Sequence, residues 1–377
     1  RVSRGSRIEP AAFVAPSGSR PRTSACTVEG APLRAAAHAP ATMASRIGTT
    51  RAYGAAMVSP ALPAALAARL DELVGRFGRA ELEAAAGRLS EAYRARAGTR
   101  VARTALEAAA YAAYRAPATF AAVGAVLSEV RARRPGWRPQ SLLDVGAGSG
   151  AASWAALAVW PELERVSSVE AEPEMAALGR ELAAAAGGPL ARGEWLVADA
   201  SRAVGSHDLV LAAYLLNELD EPRTEELAAG LWARATDTVA VVEPGTPLGY
   251  RRVLAVRATV LDAGGFTLAP CPHDRSCPLG EPDWCHFAVR LERSRAHRAV
   301  KAVSRGFEDE KLSYAVLTRT PVEPAAARII RQPQPRSGHV RLELSARDGI
   351  RSTVVSKRDR AAYRRARKAR WGDAWEG

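Results

Sequence analysis

The sequence predicts an α/β protein: a Rossmann-like parallel sheet with helices on both faces, preceded by a helical domain and followed by a small basic β/α module. Three observations predict it. Short apolar runs alternate with amphipathic stretches between residues 140 and 242, a glycine-rich turn closes the first of those runs, and charge is segregated along the chain. With 377 residues, 47% hydrophobic and 25% charged, the composition is that of a globular chain long enough for more than one packed domain. No apolar run approaches the roughly 20 residues that a membrane-spanning helix needs, so no membrane role is expected.

The formal charge of +13 is unevenly placed. Residues 1–56 carry 8 basic and 2 acidic side chains, residues 57–324 carry 31 and 33, and residues 325–377 carry 14 and 5. Arg far outnumbers Lys, which occurs only at 301, 311, 357 and 368, and Ala is abundant, a sign of GC-rich coding. Such a bias acts on the whole chain and does not explain a neutral middle between basic ends. A basic terminal segment beside a neutral body suits a phosphate-rich partner, with nucleic acid the leading expectation.

Residues 1–56 show neither helical nor strand period and read as a disordered tail. Their Arg-rich, acid-poor character fits a mitochondrial transit peptide or an over-extended gene start, with the protein beginning at Met43 or Met57; the coding bias favours the second, and with it a bacterial cytoplasm over a mitochondrial matrix. Residues 57–137 follow a helical period through Leu62, Leu66, Leu70, Leu73 and Phe77, then Leu82–Tyr93 and Leu106–Leu127. Pro135, Gly136 and Pro139 end this helical domain.

Within 138–324 the expected order is strand Ser141–Val145, helix Ala151–Trp160, strand Val166–Glu170, helix Glu174–Ala186, strands Trp195–Val197 and Asp208–Leu211, helix Thr224–Ala235 and strand Val239–Val242. Alternation of this kind implies a parallel sheet whose ligands lie at the carboxyl ends of the strands. The first strand ends in Asp144-Val145-Gly146-Ala147-Gly148-Ser149-Gly150 and runs into a helix. Such glycines allow close backbone approach, and Gly146, Gly148 and Ala151 also satisfy the dinucleotide fingerprint. Asp144, Glu170 and Asp199 argue instead for S-adenosylmethionine. They end three successive strands, where they suit an ammonium, two ribose hydroxyls and an adenine amino group; each can equally serve as a cap or turn residue. After the fourth strand, Asn217 and Glu218 are candidates to orient an acceptor, or caps of the next helix. No cysteine lies there to attack a pyrimidine through a thiolate.

Cys271, Cys277 and Cys285 cluster in a loop spanning 267–290, whereas Cys26 sits in the tail. Three thiols exceed one disulfide, and the prolines after two of them suit an iron-sulfur loop; zinc completed by His273 or His286, and plain buried cysteines, remain alternatives. Residues 325–377 combine alternating Val340, Leu342 and Leu344, then Val354 and Val355, with Arg360, Arg364, Arg365, Arg367, Lys368 and Arg370 around Tyr363 and Trp371. Strands followed by a basic helix suit an RNA-binding element. Nothing suggests a coiled coil, and a monomer is expected.

Taken together, residues 100–370 resemble the methyltransferase-like proteins of bacteria and mitochondria associated with small ribosomal subunit assembly. The resemblance rests on Leu142–Gly150 with Ser153-Trp154-Ala155, on Asn217-Glu218-Leu219, on Val242-Glu243-Pro244-Gly245, on the cysteine string ending in Trp284-Cys285-His286-Phe287, and on Tyr114–Thr119, Gly338-His339-Val340 and Ala369–Asp373. It implies a class I methyltransferase domain, S-adenosylmethionine, a [4Fe-4S] cluster and contact with ribosomal RNA (rRNA) of the small subunit, with or without methyl transfer. Carried onto this chain, the cluster ligands are Cys271, Cys277 and Cys285, and Ser345 stands where the family has its fourth cysteine, so that a serine alkoxide or a histidine such as His273, His286 or His339 completes the site, or one iron corner stays free.

Overall fold

A computed structural model describes residues 57–94, 102–292 and 306–376, all within one compact unit. The tail and Cys26 lie outside the described residues. Helices α1 (Ala64–Gly75), α2 (Arg79–Arg94) and α3 (Ala105–Arg133) follow the predicted period. Thr104 caps α3 by accepting the Glu107 N–H at 3.2 Å, and the helix stops two residues before Pro135. Alanines at 109, 112, 113 and 116 leave α3 a smooth buried face. Leu66, Leu70 and Phe120 share one continuous core with Leu142, Trp154, Leu178 and Leu211 of the following segment. The helices are therefore a layer laid directly on the sheet.

That sheet comprises β1 (Ser141–Val145), β2 (Arg165–Glu170), β3 (Glu194–Val197), β4 (His207–Ala213), β5 (Ala235–Pro244), β6 (Phe266–Ala269), β7 (Phe287–Glu292) and β8 (Phe307–Thr318). Its order is 3-2-1-4-5-8-6, with β7 paired to the first half of β8. Strands β1 to β5 are parallel, and β8 runs antiparallel between β5 and β6. This is the class I methyltransferase topology, with β8 as its reversed strand.

Every residue of β1 is buried, as a strand covered on both faces requires. Leu142 joins the core shared with α3, α4 (Ala151–Val159) and α5 (Pro173–Ala184), while Leu143 and Val145 face α7 (Glu221–Arg234) and α8 (Pro247–Asp262). A four-residue helix α6 (Gly188–Ala191) precedes β3. The predicted elements up to β5 are present with shifted ends; α8 and β6 to β8 lie beyond the predicted elements.

The C-terminal module pairs β11 (His339–Ala346) with β12 (Gly349–Ser356) on one side and with β9 (Ala327–Ile329) and β10 (Gln334–Arg336) on the other, and β13 (Ala374–Trp375) returns to β9. Helix α9 (Arg360–Lys368) buries Ala362 and Ala366 against these strands. Ile329, Val340, Leu342, Leu344, Val355 and Trp375 give the module a core of its own.

Candidate cofactor site and cysteine loop

Glycines 146, 148 and 150 all adopt positive φ, at 70°, 54° and 76°, a run that only glycine tolerates cheaply. A Cβ on Gly146 would lie 2.9 Å from the Leu215 side chain. The loop is held from within: Gly146 and Ala147 N–H donate to Val169 O at 2.8 and 3.0 Å, and Gly148 N–H donates to Glu170 Oε2 at 2.7 Å. Those amides thus shape the cradle and do not point at a ligand. Glu170 Oε1 also accepts the Glu172 N–H at 2.9 Å, and each carboxylate oxygen keeps a second acceptor position.

Asp144 is 1% exposed, accepts the Ser153 hydroxyl at 2.7 Å through Oδ2, and has no donor for its buried Oδ1. Burial, with a contribution from Glu170, lifts its carboxyl to about 6. Asp199 stands apart: its Oδ1 accepts the Ser201 N–H at 3.0 Å as the cap of a short 3-10 turn, and its side chain is 56% exposed beside Arg223. The structure brings Asp144 and Glu170 together and leaves Asp199 on the rim.

Residues 214–218 close the other side. The cap of α7 is Asp220, which accepts the Arg223 N–H at 3.0 Å, so Asn217 and Glu218 do not serve that purpose. Asn217 Oδ1 is buried without a donor. Glu218 stands exposed at the mouth of the site, where partial desolvation, with Glu170 and Glu172 nearby, lifts it to about 7. Glu243, fully buried at the end of β5, accepts the N–H groups of Leu216 at 2.7 Å and Asn217 at 3.3 Å. Burial and the nearby Glu218 raise it to about 8 despite those bonds. Four carboxyl groups with raised pKa therefore gather at the carboxyl ends of β1, β2, β4 and β5. Beyond them lies a buried cluster: Tyr214, at φ 60°, donates its hydroxyl to Glu310 at 2.9 Å, and Arg115 from α3 pairs with Glu310 at 2.9 Å while lying over the Tyr214 ring. Neither Glu243 nor this cluster was singled out as functional from the sequence.

The cysteine loop leaves β6 and returns as β7. Cys271, Cys277 and Cys285 are free and half-buried. Tyr250 of α8 donates its hydroxyl to Cys277 Sγ at 3.0 Å and lies within electrostatic reach of all three thiols. Burial pushes Cys271 to about 11 and Cys285 also upward, so both are neutral thiols when no metal is present. The His286 ring stacks on Trp284 at 5.2 Å and meets Trp371 edge-on at 4.8 Å, and the half-buried His273 leaves Nδ1 without a partner. Among the described residues, no group of three or more His, Cys, Asp and Glu side chains stands ready to hold a metal ion. Ser345 pairs with Arg328 across β11 and β9, so both side chains leave the sheet on one face. The buried Arg328 donates to the carbonyl of Pro270, next to Cys271. The three thiols are soft donors of the kind thiophilic metals take, and Asp274 of the same loop lies within electrostatic reach of Cys271.

The profile of the mitochondrial small ribosomal subunit Rsm22 family matches residues 105–376. The chain belongs to this family. The human mitochondrial ribosome assembly protein METTL17 is 31% identical to this Rsm22-family chain over 285 residues, covering 70% of it and 61% of METTL17. The mitochondrial Rsm22-cox11 tandem protein 2 of Schizosaccharomyces pombe is 25% identical over 288 residues, 63% of this chain and 38% of that protein. The chain thus spans less than two thirds of the length of either relative. Among solved structures, magnesium protoporphyrin IX methyltransferase from Synechocystis, with bound SAM (S-adenosylmethionine), aligns at TM-score 0.38 and 12% identity over 61% of this chain and 90% of that one. Precorrin-6y C5,15-methyltransferase from Geobacter metallireducens aligns at 0.35 and 15% over 52% and 85%.

Proposed function

We propose that the chain is an assembly factor of the mitochondrial small ribosomal subunit that binds S-adenosylmethionine in its sheet, holds an iron-sulfur cluster in its cysteine loop and contacts rRNA with its C-terminal module. The observation that carries this reading is the separation of charge between two sites. At the sheet edge, the buried Asp144 and Glu243, the half-buried Glu170 and the exposed Glu218 all have raised pKa and no cationic partner among the described residues. On the module, Lys357, Arg358, Arg360, Arg364, Arg367 and Lys368 are exposed with no side-chain partner among the described residues. The first site favours a ligand with an ammonium and a sulfonium; the second favours phosphates. The mitochondrial relatives favour the matrix over the bacterial cytoplasm.

In this reading Asp144 Oδ1, the acceptor without a donor, takes the ligand ammonium, Glu170 takes ribose hydroxyls, and Asp199 meets the adenine from the rim. Gly146, Gly148 and Gly150 leave the room that side chains would fill. Glu243 fixes the 214–218 loop by its two backbone bonds, and Leu215 packs on Gly146. Cys271, Cys277 and Cys285 hold the cluster, and Ser345 faces their side of the seam as the candidate fourth ligand. The cluster supplies a cross-link among loop residues.

Anaerobically purified protein is expected to contain about four iron and four sulfide per chain. Cys277→Ser should lose both; zinc at one per chain, or no metal, would contradict the cluster.

A second reading, an active rRNA methyltransferase, is favoured by Asn217, whose buried Oδ1 awaits a donor such as an amino group. Labelled-methyl transfer to immature small subunits, lost in Asp144→Ala and Asn217→Ala, would establish it.

A further inference from the structure

The loop that carries the thiols also forms the body's side of the seam with the C-terminal module. Asp283 of the loop pairs with Arg331, and His286 meets Trp371 edge-on at 4.8 Å. At the centre is Arg328, 1% exposed although charged. Its Nε–H donates to Pro270 O at 3.0 Å, its Nη1 to Gly372 O at 2.8 Å and its Nη2 to Glu129 Oε1 at 2.7 Å. Pro270 precedes Cys271 at the mouth of the loop. Gly372 lies in the turn that leads the chain back to β13. Glu129 sits on α3, where Arg133 also holds it at 2.8 Å. Three segments remote in sequence are thus fixed to one planar guanidinium, whose rigid fork permits little independent movement of its acceptors.

We propose that Arg328 is a positioning residue that couples the geometry of the cysteine loop to the seating of the C-terminal module. This rests on the reading above for its consequence, that a change in the loop is felt by the RNA-facing surface; the coupling itself needs neither RNA nor metal. The module has its own core, so loosening the seam undocks it without unfolding it. A lysine at 328 keeps the charge but cannot hold three acceptors in one plane.

The test is hydrogen exchange read by mass spectrometry on the full chain. It compares wild type, Arg328→Lys, and Arg328→Met combined with Glu129→Gln, the pair chosen so that no buried carboxylate is stranded. Exchange should quicken by about tenfold in 270–286 and in 369–376 together, in both variants, while β1, β4, β5, β11 and β12 stay protected. A change on one side of the seam only would overturn the proposal, and so would loss spreading through β1 to β5, which would make Arg328 a plain core residue. A second readout is affinity for a short single-stranded RNA across salt concentrations. The Arg328 variants should weaken binding without altering the salt slope, because Arg328 touches no phosphate, whereas Arg364→Ala with Arg367→Ala should reduce the slope by about 1.4. A slope reduced by Arg328→Lys would also overturn the proposal. Absence of RNA binding in the wild type would sink the RNA reading, and the exchange comparison would still decide the coupling.

Discussion

Glu218 and Glu243 show how a ligand's charge is written into empty space. Glu243 is raised by full burial to about 8, and the more exposed Glu218 by partial desolvation with Glu170 and Glu172 nearby to about 7, so the ligand-free protein must charge them at a cost as pH rises, Glu243 above all. The sign follows from proton counts. Between pH 6.5 and 8 the folded chain binds protons at these two sites that the unfolded chain does not, so folding stability falls as pH rises. His207, depressed by burial and Arg165 to about 4, acts in the opposite direction but only below about pH 6.5, where the unfolded imidazole titrates. The melting temperature of the ligand-free protein should therefore decline from pH 6.5 to 8. S-adenosylmethionine, whose cationic groups favour the ionised carboxylates, should bind more tightly as pH rises over the same interval, and S-adenosylhomocysteine, uncharged at sulfur, should gain less. Thermal-shift scans in the two ligands check this, and a flat profile in both would contradict it.

At the scale of elements, Trp195 of β3 packs against α5 where Gly179 leaves room: a Cβ there would lie 2.1 Å from the indole. Gly179→Ala must displace the ring or the helix and is expected to cost about 1–3 kcal/mol, measurable by chemical denaturation; an unchanged midpoint would refute the packing argument. How far the elements were legible depends on what buries them. Strands β1, β4 and β5 are covered on both faces and stand out as apolar runs. In contrast, β8 carries Glu308, Asp309, Glu310 and Lys311 in its first half, and its membership in the sheet depends on Arg115 and β7 arriving to match them. Helix α8 carries local signals in the sequence, Thr246 as cap, Pro247 at its first turn and Val253, Val256 and Val260 on one face. In the site, Asp144 and Glu170 were legible because the glycine turn marks where the strands end. Arg328, Glu310 and the clamping role of Glu243 were not, because a charged residue in sequence reads as surface until tertiary structure supplies the partners that permit its burial.

Over the whole molecule, the cysteine loop occupies the seam between the body, with its buried carboxyls, and a module with a separate core and a basic helix. Raised carboxyl groups at the sheet edge and a basic helix on the module thus lie on one chain, and Arg328 joins the module to the cysteine loop and to α3. The most direct test of this account is sedimentation of the protein with isolated mitochondrial small ribosomal subunits, comparing wild type with a variant in which Arg360, Arg364, Arg367 and Lys368 are all alanine. The account predicts that wild type co-sediments in a salt-sensitive manner, and that the variant stays in the supernatant while binding S-adenosylmethionine as before. Equal co-sedimentation of the two proteins would contradict it.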